Sequence, residues 1–139
     1  MKLTPDCVRD ILLYLENNLV IVNSNEFSEI SLNQIQEALS EKYTEEDVMY
    51  NVYQLHQAHF ISGKIYNHGS YILSLCIINE ITFAGHQFLE TIRPETIWQK
   101  TKTSLGKTGS YAFNVLTQVA QNIAIETSKE IALNALGVK

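Results

Sequence analysis

The sequence predicts a mainly helical chain with a small β-hairpin, an α+β fold in which a winged-helix-like domain is followed by a long C-terminal helix. Three observations carry this. Apolar residues recur at steps of three and four in successive segments before residue 93. Turn chemistry at Asn67-His68-Gly69 separates two stretches that read as strands. From Ser110 to about Leu136 no proline or glycine interrupts a helical pattern. Residues 1–92 are read as the winged-helix-like domain and 93–139 as a helical extension that dimerises or packs.

Thr4-Pro5-Asp6 starts the first helix. Thr4 is placed to cap free amides, Pro5 takes the position where a missing N–H costs nothing, and Asp6 suits the positive end. Val8, Ile11, Leu12 and Leu15 then give Pro5–Asn17 one buried face. Leu19–Val22 reads as a short strand or an extended lead into the Asn23-Ser24-Asn25 turn. Ser31 with Gln34 is a capping box opening a helix with Leu32, Ile35 and Leu39 on its stripe. Thr44 with Asp47 resembles the same device, and Val48, Val52, Leu55 and Tyr53 line a third helix ending near Ala58. These two helices, joined through Glu41-Lys42-Tyr43, form a helix-turn-helix candidate.

Phe60–Tyr66 reads as a strand bent at Gly63, Tyr71–Leu75 as its antiparallel return, and Cys76–Ile81 as an extension of that return. Thr82 caps a fourth helix holding Phe83, Phe88, Leu89 and Ile92. Arg93-Pro94 marks a boundary, and Pro94–Lys102 is expected to be a short helix with Ile97 and Trp98 inward. Leu105-Gly106-Lys107-Thr108-Gly109 is expected to be a hinge; its spacing does not match a nucleotide-binding loop. The last helix, about 40 Å long if continuous, has an apolar band wider than one small domain covers. Its seam, including Val115, Val119, Ile123 and Ile131, is expected to pair with a second copy, the alternative being to fold back over its own domain.

Charge limits what this scaffold does. Residues 1–92 carry twelve acidic and four basic side chains, a net of −8, whereas the remaining 47 residues carry a net of +3. A duplex reader needs positive charge against phosphate. Apolar residues at 45% and charged residues at 18% suit one ordinary folded core rather than a disordered chain. Cys7 and Cys76 read as small buried hydrophobes, with no disulfide suggested between them. Leu12–Val22 is too short and too polar to span a bilayer, and no secretory leader is visible. The expected address is therefore cytoplasmic, with no membrane partner.

Catalytic and metal chemistry find little support. His56 and His59 stand three apart, but zinc needs further ligands, and His68 and His86 sit on other elements. No nucleophile elbow or Cys–His context appears, and Glu45 and Glu46 are explained by a helix start. No enzyme activity, catalytic residue, cofactor or metal is expected.

The third helix occupies the recognition position and is expected to offer Asn51, Gln54, His56 and Gln57 on a polar face, where amides can read adenine edges. Against that stand Glu45, Glu46 and Asp47 at the end that would approach the groove, with Lys42, Lys64 and His68 as a thin basic supply. A lysine patch at Lys100, Lys102 and Lys107 is a secondary source. The same surface suits a protein partner, with Tyr50, Tyr53, Tyr66 and Tyr71 as anchors. A non-enzymatic protein-interaction module, forming a homodimer, is the reading carried forward, with a DNA-binding regulator using residues 31–58 as the alternative that charge disfavours.

Met1-Lys2-Leu3-Thr4-Pro5-Asp6-Cys7-Val8-Arg9-Asp10-Ile11-Leu12 resembles the start of the DUF2513 family, an uncharacterised group of bacterial and phage or prophage proteins. Ile81-Thr82-Phe83-Ala84-Gly85-His86-Gln87-Phe88-Leu89 and Ile97-Trp98-Gln99-Lys100-Thr101-Lys102 resemble it as well. The resemblance covers nearly the whole chain, departs most over Asn67–Ile78, and implies a winged-helix-like amino-terminal part. It implies no catalytic role for Cys7, Arg9, His86 or Trp98. In physical terms, Gly85 is expected to permit close packing against the first helix, His86 to hydrogen-bond across it, and Trp98 to act as an interdomain anchor.

Overall fold

The computed structural model describes residues 1–108 and 113–137, with backbone alone for 105–108 and 113–117. The fold class is the one expected: mostly helical, with two small sheets near the amino terminus and a long C-terminal helix. The chain divides into two compact units, Met1–Leu89 and Glu90–Lys139.

In the first unit, α1 (Pro5–Asn18) opens with Pro5 in its first turn and buries Cys7, Val8, Ile11, Leu12 and Leu15. Thr4 precedes the helix, but its hydroxyl makes no capping bond. Its backbone N–H instead donates to Asn51 Oδ1 at 2.9 Å. After α1 comes a hairpin that the sequence only half revealed. β1 (Ile21–Val22) pairs antiparallel with β2 (Glu26–Phe27) across a turn whose Asn23 and Ser24 have φ of 50° and 66°. Two positive φ angles in succession are the mark of a tight I′ turn, which follows strand twist.

β3 (Ile30–Ser31) leads directly into α2 (Leu32–Ala38). The predicted capping box is complete: Gln34 N–H donates to Ser31 Oγ at 3.3 Å and Ser31 N–H to Gln34 Oε1 at 2.8 Å. α3 (Glu45–Gln57) follows, then β4 (Ile61–His68) and β5 (Tyr71–Ile81). The three-stranded sheet has the order β3-β5-β4, all antiparallel. Two bulges interrupt the β4–β5 ladder. At the first, Ser62 faces Glu80 but Gly63 faces Ile78, leaving Asn79 as the extra residue. A Cβ on Gly63 would lie 2.1 Å from the Ile77 carbonyl oxygen, so only glycine fits there. Ile35, Val48, Val52, Leu55, Ile61, Ile65, Ile78 and Ile81 are among the side chains that add to the core, each worth roughly 1.5–3 kcal/mol on full burial.

α3 ends in a Schellman arrangement. Phe60 N–H donates to the Leu55 carbonyl and His59 N–H to that of His56, both at 3.0 Å, with His59 at φ 60°. The His59 carbonyl then accepts the Thr82 hydroxyl at 2.6 Å, while the same oxygen of Thr82 accepts the Gly85 N–H at 3.1 Å. Thr82 thus caps α4 (Phe83–Ile92), as its position suggested. Gly85 does permit close packing, but its neighbour is β4's entry rather than the first helix. An added Cβ would meet the Phe60 carbonyl oxygen at 2.1 Å and Ile81 Cγ2 at 2.8 Å. Phe88 stacks on the Phe60 ring with centroids 5.0 Å apart.

The second unit contains α5 (Glu95–Thr108) and α6 (Phe113–Ala135). α5 is longer than expected. It runs through Leu105-Gly106-Lys107-Thr108, because one glycine costs a helix only about 1 kcal/mol and does not stop it. The expected hinge is corrected to that extent; Gly109 lies outside the described residues. Trp98 is buried, the Lys102 ammonium sits 5.9 Å from its ring centroid, and buried Thr101 donates its hydroxyl to the Ile97 carbonyl at 2.7 Å. Along α6, Ala120 is buried and Val119 and Ile123 are half-buried, whereas Ile125, Ile131 and Leu133, and Leu136 just beyond the helix, are exposed. The Val115 side chain lies outside the described residues.

Cys7 and Cys76 are both buried free thiols. Burial, with the Asp10 and Asp47 charges adding to it, pushes Cys7 up to about 12, and burial pushes Cys76 up to about 11. Tyr43 is raised as well, by burial first and then by its hydrogen bond to Asp10. In the unfolded chain the thiols lose their protons near 9.0, so above that pH the unfolded state binds fewer protons than the folded one. Stability is therefore full below about pH 9 and declines toward pH 12. Melting temperature should hold from pH 7 to 8.5 and fall steadily by pH 11; a flat profile to pH 11 would contradict this. Gly85→Ala should lower unfolding free energy by ~1–3 kcal/mol in urea titration, through the clash with the Phe60 carbonyl.

Candidate functional site

The surface to be weighed is α3 with the β4–β5 hairpin, since α3 follows the turn of the helix pair and the hairpin projects beside it in sequence order. α3 is fixed at its start by three contacts. Thr44 Oγ1 accepts the Asp47 N–H at 3.2 Å, the Gln36 amide donates to the Glu45 carbonyl at 2.9 Å, and Tyr43 donates its phenol to Asp10 Oδ2 at 2.7 Å. The last ties the α2–α3 connection to α1. Lys42 adds an exposed ion pair to the same Asp10 oxygen at 3.4 Å, a contact of small energetic weight.

One expectation about α3 is corrected. Asn51 does not stand on the solvent face; it is fully buried between Val48, Val52 and Leu55 on the inward stripe. Its Oδ1 accepts the Thr4 N–H at 2.9 Å and its Nδ2 donates to the Asp47 carbonyl at 2.8 Å. Both ends of the amide bond inside the fold and the side chain is fully buried, so it is not displayed to a base edge. The periodicity held the clue, since position 51 lies three after Val48 and four before Leu55. An asparagine there satisfies the otherwise orphaned amide that precedes α1.

The remaining expected contacts lie outward to different degrees. Gln57 is exposed, Gln54, Tyr50 and Tyr53 are half-buried, and Tyr66 and Tyr71 on the hairpin are exposed at 60% and 71%. The first turn of α3 carries Glu45, Glu46 and Asp47, all exposed. Carboxylates there satisfy the positive end of the helix dipole that a phosphate would otherwise occupy. The hairpin's Lys64 is paired at 3.5 Å with Glu29. The net field of this face is acidic.

The two histidines of α3 part company. His59 has left the helix for the left-handed region, so the spacing that would align both rings on one face is lost. His56 Nδ1 is buried without a hydrogen-bond partner, beside a cavity of about 60 Å³ lined by Tyr53, Gln57, Ile65 and Asn67. Among the described residues no group of three or more His, Cys, Asp or Glu side chains is placed to hold a metal ion, and no helix is long and apolar enough to cross a membrane.

Sequence reasoning missed a second exposed surface. Val20, Ile21 and Phe27, on or beside the β1–β2 hairpin, are each more than half exposed. Strands of two residues carry no period, and the signal available was an apolar pair and a phenylalanine on either side of an Asn-Ser-Asn turn.

Asn51→Ala should cost ~1–3 kcal/mol in urea titration, by leaving the Thr4 amide unpaired. Gln54→Ala and Gln57→Ala should each stay within ~0.5 kcal/mol of the parent.

No curated protein and no solved structure matches the chain. A family model does. The family described as "Hypothetical protein (DUF2513)" matches residues 2–111, a span that takes in α1, the sheet, the Thr82–Gly85 junction and α5. With most of its 139 residues inside that match, the chain belongs to the DUF2513 family.

Proposed function

We propose that this chain is a non-enzymatic protein-association module of phage or prophage character, acting as a homodimer. The observation that carries the reading is the state of α3. Its first turn carries three exposed carboxylates and its most DNA-suited amide, Asn51, is bonded inside the core. With the β1–β2 hairpin set aside as an insertion after α1, the element order α1-β3-α2-α3-β4-β5 and the sheet order β3-β5-β4 support the winged-helix-like reading. Used on a duplex, that scaffold would bring −8 of net charge in residues 1–92 against phosphate. Used on a protein, the same charge speeds encounter with a basic surface, and Tyr66 and Tyr71 supply exposed aromatic anchors.

Pairing with a second copy is supported by α6. Ile125, Ile131 and Leu133 on α6, and Leu136 just after it, are exposed apolar side chains that a second copy would cover. A second reading, a regulator touching DNA through residues 31–58, is favoured by the exposed amide of Gln57 and the half-exposed one of Gln54.

Two measurements separate these. Crosslinking and pull-down in the native host should recover a stoichiometric protein partner, while genomic-DNA selection at low and physiological salt should enrich no duplex sequence. Enrichment of one short sequence at physiological salt would overturn the association reading. Sedimentation of the full chain should give a dimer, and Ile125→Ser with Ile131→Ser should shift it to monomer; a monomeric parent would remove the homodimer.

A further inference from the structure

A groove of about 220 Å³ opens on the first unit where the end of α1, the β1–β2 hairpin, the end of β5 and the start of α4 come together. Buried Leu15 and Ile81 lie at its base, and Val20, Ile21 and Phe27 wall it with side chains exposed at 55%, 59% and 52%. Glu16, Asn79, Glu80 and His86 complete its lining, and no lysine or arginine is among its residues. Asn79 is the extra residue of the β-bulge opposite Ser62 and Gly63, so an irregularity of the ladder stands at the rim. Bulges concentrate where a sheet edge is re-aimed for a purpose.

We propose that this groove docks a protein segment carrying one large apolar side chain flanked by lysine or arginine. The volume decides the anchor: it is below the roughly 300–1,000 Å³ of small-molecule pockets, and suits an aromatic or leucine side chain. The exposed apolar wall supplies the burial that such an anchor gains. Charge decides the flanks, since Glu80 lines the groove within a unit whose acids outnumber its bases. An acidic segment or a phosphate-bearing ligand meets repulsion at the same rim. The proposal rests on the reading of the chain as an association module, and gives that module a binding surface away from α3.

The test is selection of a random displayed peptide library on immobilised full-length protein, run in parallel on Phe27→Ala and Glu80→Lys, each first checked for an unchanged circular dichroism spectrum. Enriched peptides should share an apolar residue next to Lys or Arg. A synthetic peptide of that consensus should bind Phe27→Ala about tenfold more weakly, and Glu80→Lys about tenfold more weakly with the basic preference lost. Glu80 alters charge without touching the apolar wall, so it remains informative if Phe27→Ala fails the fold check. Equal binding to parent and both variants would overturn the groove while leaving the association reading standing. So would enrichment of acidic peptides, or no enrichment at all; the association reading itself falls only on recovery of a duplex sequence.

Discussion

The His59-Phe60 junction is the constraint on which the first unit depends. There the carbonyl of His59 accepts the Thr82 hydroxyl, and the carbonyl of Phe60 accepts the Thr82 N–H at 3.0 Å. Gly85 approaches that second carbonyl so closely that no side chain fits between. The end of α3, the start of β4, the end of β5 and the start of α4 are thereby held at one point. Because backbone groups make most of these contacts, they set the positions of whole elements rather than of single side chains. The Phe60–Phe88 stack covers the junction with apolar area. Holding His59 in the left-handed region costs of order 1–3 kcal/mol, which the surrounding hydrogen bonds offset.

Two tethers of different chemistry then fix α3 against α1. Asn51 bonds the amide of Thr4 from inside the core, and Tyr43 bonds Asp10 from the rim. Neither tether uses a formal charge on α3, so the acids of its first turn remain on the surface. The electrostatic character of the outer face is thus independent of how the helix is held. The frame therefore sets no sign for the surface, and residues 1–92 carry a net −8 upon it.

Much of the fold was legible because its signals are local. The Ser31–Gln34 capping box, Pro5 in the first turn of α1, and the apolar stripe of Val48, Val52 and Leu55 depend only on neighbours within a turn of helix. What was not legible depends on distant partners. β3 is two residues long and exists because Ile77 and Ile78 of β5 offer it a ladder. Gly85 was recognised as a packing glycine, but its neighbour, Phe60, lies 25 positions away in sequence. Asn51 looked polar and therefore outward, although its register already placed it with the core. The helix through Gly106 is not marked locally, because a single glycine looks like a breaker although its cost is small. The groove beside Phe27 needs four elements at once, and no window of sequence contains them.

Locking Asn51 inward has a consequence for how such a chain can diversify. The buried amide sets the rotational phase of α3, and with it how far positions 50, 54 and 57 reach the surface. Substitution at Gln54 or Gln57 then changes what the helix displays without altering how it sits. The side chains at this rim can be exchanged while the asparagine stays in place, much as interchangeable heads fit one handle.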